Sequence, residues 1–427
     1  MSRETIVPGN DLRNGWFRAA SELRGGWRML LGATWGVAVG AASLPFYSAG
    51  VFAVSLRAEY GWSLSMMSLP ILGATLSVSM FAPLAGSIID RFGLIAPAIL
   101  GHLALALSFV ALGMMPGDFS AFLFVSVLAA VFGLTSSPIG YSRAINGRFK
   151  TMRGLALGIT LSGTGIAALT VPSFVAAIIG IWGRQAAYLA LAAIIVTSLP
   201  FITLLLQEPG SAMSRLEEYP HAPHAPVRPN AIPTVMSIIR DRRFVRLYCA
   251  FFLQALGVTG FVLHLVPMLN EAGLPLGRAA TIQGQMGLAI IAGRLLIGVC
   301  VDRFFAPYVA ATVLAITLGG FMLFGLAGAP MALPLAFALG FALGAEVDLI
   351  GYLTGRYFGL GAYGRTYGLL YGGFTLATGL SPLIIAQVQH ISGNYQTALS
   401  VCATFLIGAL LLLATAPGFP QHSDKSR

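Results

Sequence analysis

Apolar residues run through this chain in long stretches of about 20 residues, separated by short polar breaks. That is the length an α-helix needs to cross roughly 30 Å of hydrocarbon. Twelve spans are predicted, at 29–54, 64–88, 94–115, 119–142, 154–178, 185–206, 247–270, 280–301, 308–328, 331–353, 366–388 and 396–416. Strands of a membrane barrel would alternate apolar and polar positions over about ten residues, and these stretches do not alternate. A helix also satisfies its own backbone polar groups in lipid. The pattern predicts an all-α membrane protein.

Two charges interrupt the pattern in "GSIIDRFG", Gly86 to Gly93, and the core of that turn returns as "GVCVDRF" at Gly298 to Phe304. Asp90 and Asp302 are 212 residues apart, close to half of the 427-residue chain. At the same shift Glu59 falls on Glu271, Gly61 on Gly273, Gly86 on Gly298, Arg91 on Arg303 and Arg153 on Arg365. Farther along, "IGY" at 139–141 returns at 350–352, and Pro172 and Gly183 return as Pro382 and Gly393. The chain therefore reads as two six-span halves, 29–206 and 247–416, with a linker at 207–246 and tails at 1–28 and 417–427. Because six is even, both halves enter the membrane in the same direction, as parallel repeats about an axis along the membrane normal. Such repeats flank a central substrate site.

Composition agrees: 57% of residues are hydrophobic and 9% charged, against roughly 25% charged in a soluble domain. The net charge of +10 would suit a nucleic-acid partner, but the basic residues are sorted by side instead. Of 25 Lys and Arg, 21 fall on the side of the two termini, Arg57, Arg184 and Arg278 fall on the other, and Arg294 falls inside a span. Basic loops stay inside, so both termini are expected in the cytoplasm, with no nucleic acid bound. Residues 1–28 are polar and contain Arg, so no cleavable signal peptide is expected and the first span serves for insertion. The linker is rich in Pro, Ala and charge, and the following "RDRRFVRLY" at 240–248 suits an interface with anionic lipid. His221 and His224 in the linker lack the Cys or carboxylate spacing of a metal site. Cys249, Cys300 and Cys402 are odd in number and suggest no disulfide framework. No Walker-type phosphate loop, cofactor motif or nucleophile and base pairing is evident, so neither ATP drive nor an enzyme is expected.

The informative charges lie inside the spans. Arg294 is eight residues before Asp302, roughly 12 Å inside the membrane at 1.5 Å per residue. Burying Arg there costs around 2.5–3.5 kcal/mol on insertion scales, so it must face a partner or a wet cavity. It stays protonated and offers a planar fork suited to a carboxylate. Glu346 and Asp348 lie at matching depth, ten and eight residues before Arg356. Two residues turn about 200° around a helix, so both cannot face one cavity; Asp348 shares a stripe with Gly344, Gly351 and Tyr352 and is expected toward the pore, Glu346 toward a neighbouring helix. A carboxylate is pushed toward neutrality by burial and back by a nearby Arg. The trio is therefore either a proton switch or a permanent structural network, and Arg294 either an anion site or half of a structural ion pair. His264 titrates near neutral pH and serves either proton handling or a helix-helix hydrogen bond. Tyr47, Tyr141 and Gln285, with Gln254 and Gln283, are candidates to line the cavity, core packing being the alternative.

The turn at Gly86–Gly93, with a degenerate copy carrying Asp302 and Arg303, resembles the signature of the major facilitator superfamily, and the likeness extends over the whole chain. It implies a twelve-helix secondary transporter whose charged turn, here Gly86, Asp90, Arg91 and Gly93, stabilises the outward-open state. Gly86 is expected to allow close helix approach, and Asp90 to accept hydrogen bonds from a helix N-terminus. "GGW" at 25–27, "GVFAVSLRAEYGWS", "HLVPMLNEAG", "GRLLIGVCVDRF" and "YLTGRYFG" are together similar to the bacterial monocarboxylate porters and their oxalate:formate exchanger relatives. In that group an Arg placed like Arg294 contacts the substrate carboxylate. This chain departs where animal members carry a span-one Lys, having "LPFYS", and where they carry an Asp, having Ile290; span eleven lacks the exchanger's Lys. The expected function is proton-coupled uptake of a small organic monocarboxylate by a monomer. Proton-driven export of hydrophobic compounds, anion exchange and non-transporting sensing are the alternatives.

Overall fold

The computed structural model describes residues 21–149, 152–207, 235–359 and 363–419. His221 and His224 lie outside the described residues, as do the side chains of Asp90 and Asp302. The helices are α1 (Trp27–Ala38), α2 (Leu44–Tyr60), α3 (Leu64–Phe92), α4 (Ile95–Met114), α5 (Phe119–Gly133), α6 (Pro138–Arg148), α7 (Arg153–Leu206), α8 (Val235–Ile239), α9 (Arg242–Val258), α10 (Phe261–Glu271), α11 (Leu276–Arg303), α12 (Ala306–Ala327), α13 (Ala332–Phe358), α14 (Tyr363–Ser392) and α15 (Tyr395–Ala414). Ten helical segments among the described residues are long and apolar enough to cross a membrane. One of them, within α7, carries two passes joined at Gly183, whose φ of 81° breaks the helix between the fifth and sixth spans. The first pass is divided between α1 and α2, each too short to cross alone. The fold is thus the twelve-pass, two-half arrangement read from the repeat.

Loop geometry carries the repeat as well. Gly61 and Gly273 have φ of 71° and 89°, Gly117 and Gly328 89° and 66°, Gly183 and Gly393 81° and 73°. Gly61 and Gly273 end the helices after the first and seventh passes in the left-handed region, where a Cβ is disfavoured.

Those two passes are broken in mid-membrane, and serines repair both breaks. Between α1 and α2, Ser43 Oγ donates to Val37 O at 2.6 Å, while Ser136 Oγ accepts from Ala41 N at 3.2 Å. Between α9 and α10, Ser381 Oγ accepts from Gly260 N at 2.9 Å and donates to Leu256 O at 2.7 Å. An unpaired backbone group in hydrocarbon would cost several kcal/mol, so each hydroxyl makes its break tolerable. Side-chain caps start α3, α5, α9 and α15: Ser63, Asp118, Asp241 and Asn394 each accept from a backbone N–H in the first turn.

Asp241 also receives the Arg243 guanidinium at 2.7 Å, which holds its carboxyl below the usual carboxylate range despite partial burial. A depressed folded-state pKa stabilises the fold above the unfolded value of 3.8, and the gain is lost as pH falls through the lowered folded value. Asp241→Asn keeps the cap acceptor and loses the charge. We expect its midpoint of thermal unfolding to lie slightly below wild type at pH 7, by no more than about 1 kcal/mol because the pair is partly exposed. The difference should close below pH 3.8.

The two halves meet through α2 with α10, α7 with α11, and α3 with α14. The seam is tight at one end and open at the other. Gly287 sits so close to Gly165 and Leu169 that a side chain there would strike backbone, and a Cβ on Gly50 would reach Leu263 O at 2.8 Å. Ser79 and Thr375 share a hydroxyl hydrogen bond at 3.1 Å, and Gly379 packs on Leu72 and Thr75. Arg57 closes this end by an ion pair across the halves to Glu271 at 2.6 Å, whereas the duplicated Glu59 is held within its own half by Arg184 at 2.8 Å. Seven residues along a helix returns to the same face. Stepping that far from Gly165 to Gly158, Ile291 to Gly298, Gly379 to Gly372 and Ser79 to Gly86, a Cβ meets none of the described residues within 4 Å. The halves therefore part toward the end that bears the charged turns.

In this state Gly86 brings no described helix close, since its face of α3 borders the open end of the seam.

Candidate functional site

The helix breaks and the seam bring polar groups from both halves to one place. Arg294 projects from α11, its side chain only 8% exposed, with Nη1 3.8 Å from Asp348 Oδ1 on α13. At that distance the pair attracts without a hydrogen bond, and Arg294 Nε and Nη1 have no hydrogen-bond partner among the described residues. Asp348 is the more open partner, 35% exposed. Two residues earlier, Glu346 is buried and points elsewhere, against Gln254 of α9. Glu346 Oε2 and Gln254 Nε2 nevertheless lack hydrogen-bond partners. Tyr47 of α2 and Tyr371 of α14 are near enough to Arg294 and Glu346 to feel both charges, and Tyr47 stands beside Thr164 of α7.

The cluster thus holds one guanidinium, two carboxylates, two phenols and an amide. Tyr47 and Thr164 belong to the N-terminal half, the others to the C-terminal half. The break before Leu44 places Tyr47 in the first turn of α2, and at the adjacent seam Gly165, next to Thr164, meets Gly287 and Ile291, the latter three residues before Arg294. Buried donors and acceptors without partners are rare in folded proteins and mark places where a ligand or water completes the network. The arrangement can grip a carboxylate through the unfilled guanidinium edge and can exchange protons at its acids.

Three other candidates lie apart. His264 is fully buried, with Nε2 2.8 Å from Pro382 O and Nδ1 3.0 Å from the Tyr395 hydroxyl. The carbonyl can only accept, so Nε2 carries the proton and Nδ1 accepts from Tyr395, giving a neutral ring that ties α10 to α14 and α15. Tyr141 packs against Gly36 inside the N-terminal half. Gln285 is half-buried nine residues before Arg294, and 900° of helical rotation puts the two on opposite faces of α11. Gln283, two residues earlier, donates to Val262 O at 2.8 Å and braces α10. Thr164 and Tyr371 join the cluster without having been singled out. Tyr371 lies six residues inside Arg365, so the depth arithmetic used for Arg294 would have found it.

The Major Facilitator Superfamily model matches residues 35–382, most of both halves and the whole cluster. The chain belongs to the major facilitator superfamily. No curated protein matches it. As a superfamily member it is a multi-pass membrane transporter, and a small-molecule substrate and the lipid bilayer are its partners. Its charged turn ends α3 at Gly93, where φ is 77°, and Arg91 stacks over the Phe92 ring with 5.4 Å to the centroid. Arg303, the duplicate of Arg91, is exposed at the end of α11.

Proposed function

We propose that this transporter takes a small monocarboxylate into a bacterial cell together with protons, working as a monomer in the inner membrane with both termini and the 207–246 linker in the cytoplasm. The observation that carries this reading is Arg294: a permanently charged fork, nearly buried between the halves, with two nitrogens unpartnered and two carboxylates on the facing helix. With the orientation argued from the basic residues, the open end of the seam faces the cytoplasm. The described state is then inward-open.

In this mechanism the anion arrives from outside and takes over the Arg294 fork. Asp348, released from Arg294, takes up a proton; Glu346 is the second acid available. Neutralising the cluster lowers the cost of enclosing it and permits the halves to rock. Tyr47 and Thr164 report occupancy to the N-terminal half. Gly86, Asp90, Arg91 and Gly93, with Asp302 and Arg303, act as the gate at the cytoplasmic end: the face bearing Gly86 is vacant here and closes in the outward-open state. His264 acts as a brace, since both its nitrogens are engaged.

Uptake of labelled monocarboxylates into proteoliposomes, with an inward proton gradient and with the gradient collapsed, tests the coupling. Accumulation that requires the gradient is expected. Equal flux without it would replace symport by exchange, and no flux for any acid would contradict the anion reading.

A further inference from the structure

The charges of the cluster do not balance, and the imbalance bears on the ligand. Arg294 contributes one positive charge against Glu346 and Asp348, so the empty site carries one negative charge in excess when both acids are ionised. A plain monocarboxylate doubles that excess in a place where unpaired charge is costly. Two protons would then be needed for neutrality. A ligand that brings its own positive charge leaves the excess at one, and a single proton on the more open Asp348 removes it.

Glu346 is where that positive charge would go. Its carboxylate is 4% exposed, Oε2 has no hydrogen-bond partner, and Arg294 leans toward Asp348 instead. Gln254 Nε2, the donor nearest to it, is also without a hydrogen-bond partner among the described residues. Two phenols, Tyr47 and Tyr371, lie within electrostatic reach of the same charges, and Tyr371 stands in a stacked run with Tyr367 and Phe374 at 5.6 and 5.9 Å. A buried carboxylate with an open acceptor suits an ammonium, which supplies three donors. We propose that the ligand is an amino acid in the broad sense, its carboxylate held by Arg294 and its protonated amine by Glu346. This rests on the carboxylate reading of Arg294 and narrows it.

The test compares labelled propionate and butyrate with alanine, β-alanine and 4-aminobutyrate in proteoliposomes of the wild-type protein under an inward proton gradient. At least one amine-bearing acid should be taken up about tenfold or more faster than the plain acid of the same length, because a site built to bond a polar group rejects the analogue that lacks it. In Glu346→Gln that preference should fall to within about threefold, with the fold of the variant checked by its thermal melt. Plain acids taken up as fast as their amine-bearing partners by the wild type would overturn the proposal and leave the carboxylate reading intact. A preference unchanged in Glu346→Gln would overturn the role of Glu346. Uptake of neither series would overturn both readings, and the wild-type comparison decides even if the variant fails to fold.

Discussion

Gly287→Val is expected to hold the two halves apart at the end that is closed in this structure. Gly287 of α11 lies against the backbone of Gly165 and Leu169 on α7, and Gly284 one turn earlier approaches Leu169 O, where a Cβ would stand at 2.7 Å. Backbone cannot rotate away as a side chain can, so the helices themselves must separate. Overpacking of this kind costs about 1–3 kcal/mol, which shifts a two-state equilibrium roughly 5- to 150-fold. Spin labels at Ala58 and Arg278, both exposed at the closed end on opposite halves, should move apart. Gly298→Val makes the complementary case: its Cβ enters open space here, so the label distance should stay unchanged while transport slows, because that face must close in the opposite state. Wild-type transport by both variants would contradict a rocking mechanism on this seam.

Arg294→Gln is expected to abolish recognition of the carboxylate. Truncating one partner of a buried charge pair costs about 2–5 kcal/mol, so affinity for the transported acid should fall roughly 30-fold or more. Arg294→Lys should recover only part of it, because a single ammonium cannot present the planar fork. Calorimetric titration of the purified protein, with a thermal melt of each variant, separates ligand binding from the structural alternative. A purely structural ion pair with Asp348 would lower the melting temperature and leave the affinity of the folded fraction unchanged.

The passes and the duplication were legible because both rest on patterns that local sequence carries: apolar length, and charged or glycine loops such as Glu59–Gly61 and Glu271–Gly273 that repeat at one shift. The division of the first pass was not. "VGAAS" at 39–43 is as apolar as its surroundings, and the partner that makes the break tolerable, Ser136, comes from another pass. Depth arithmetic brought Arg294, Glu346 and Asp348 to one level, and the opposite facing of Glu346 and Asp348 follows from the 200° between them. The same arithmetic separates Gln285 from Arg294 by half a turn. No local signal marks Thr164, whose place depends on the seam at Gly165, or decides between the two roles read for His264, whose partners Tyr395 and Pro382 lie more than a hundred residues away. Tyr141 is as polar as Tyr47 in sequence; the glycine at position 36 gives its ring a slot inside the N-terminal half.

The most direct measurement is gradient-driven uptake of one transported acid by wild type and Arg294→Gln, reconstituted at equal density. Accumulation in the wild type is expected to disappear when the proton gradient is collapsed, and the variant at the same substrate concentration is expected to accumulate at least about tenfold less. Equal accumulation by the folded variant would contradict anion capture by Arg294.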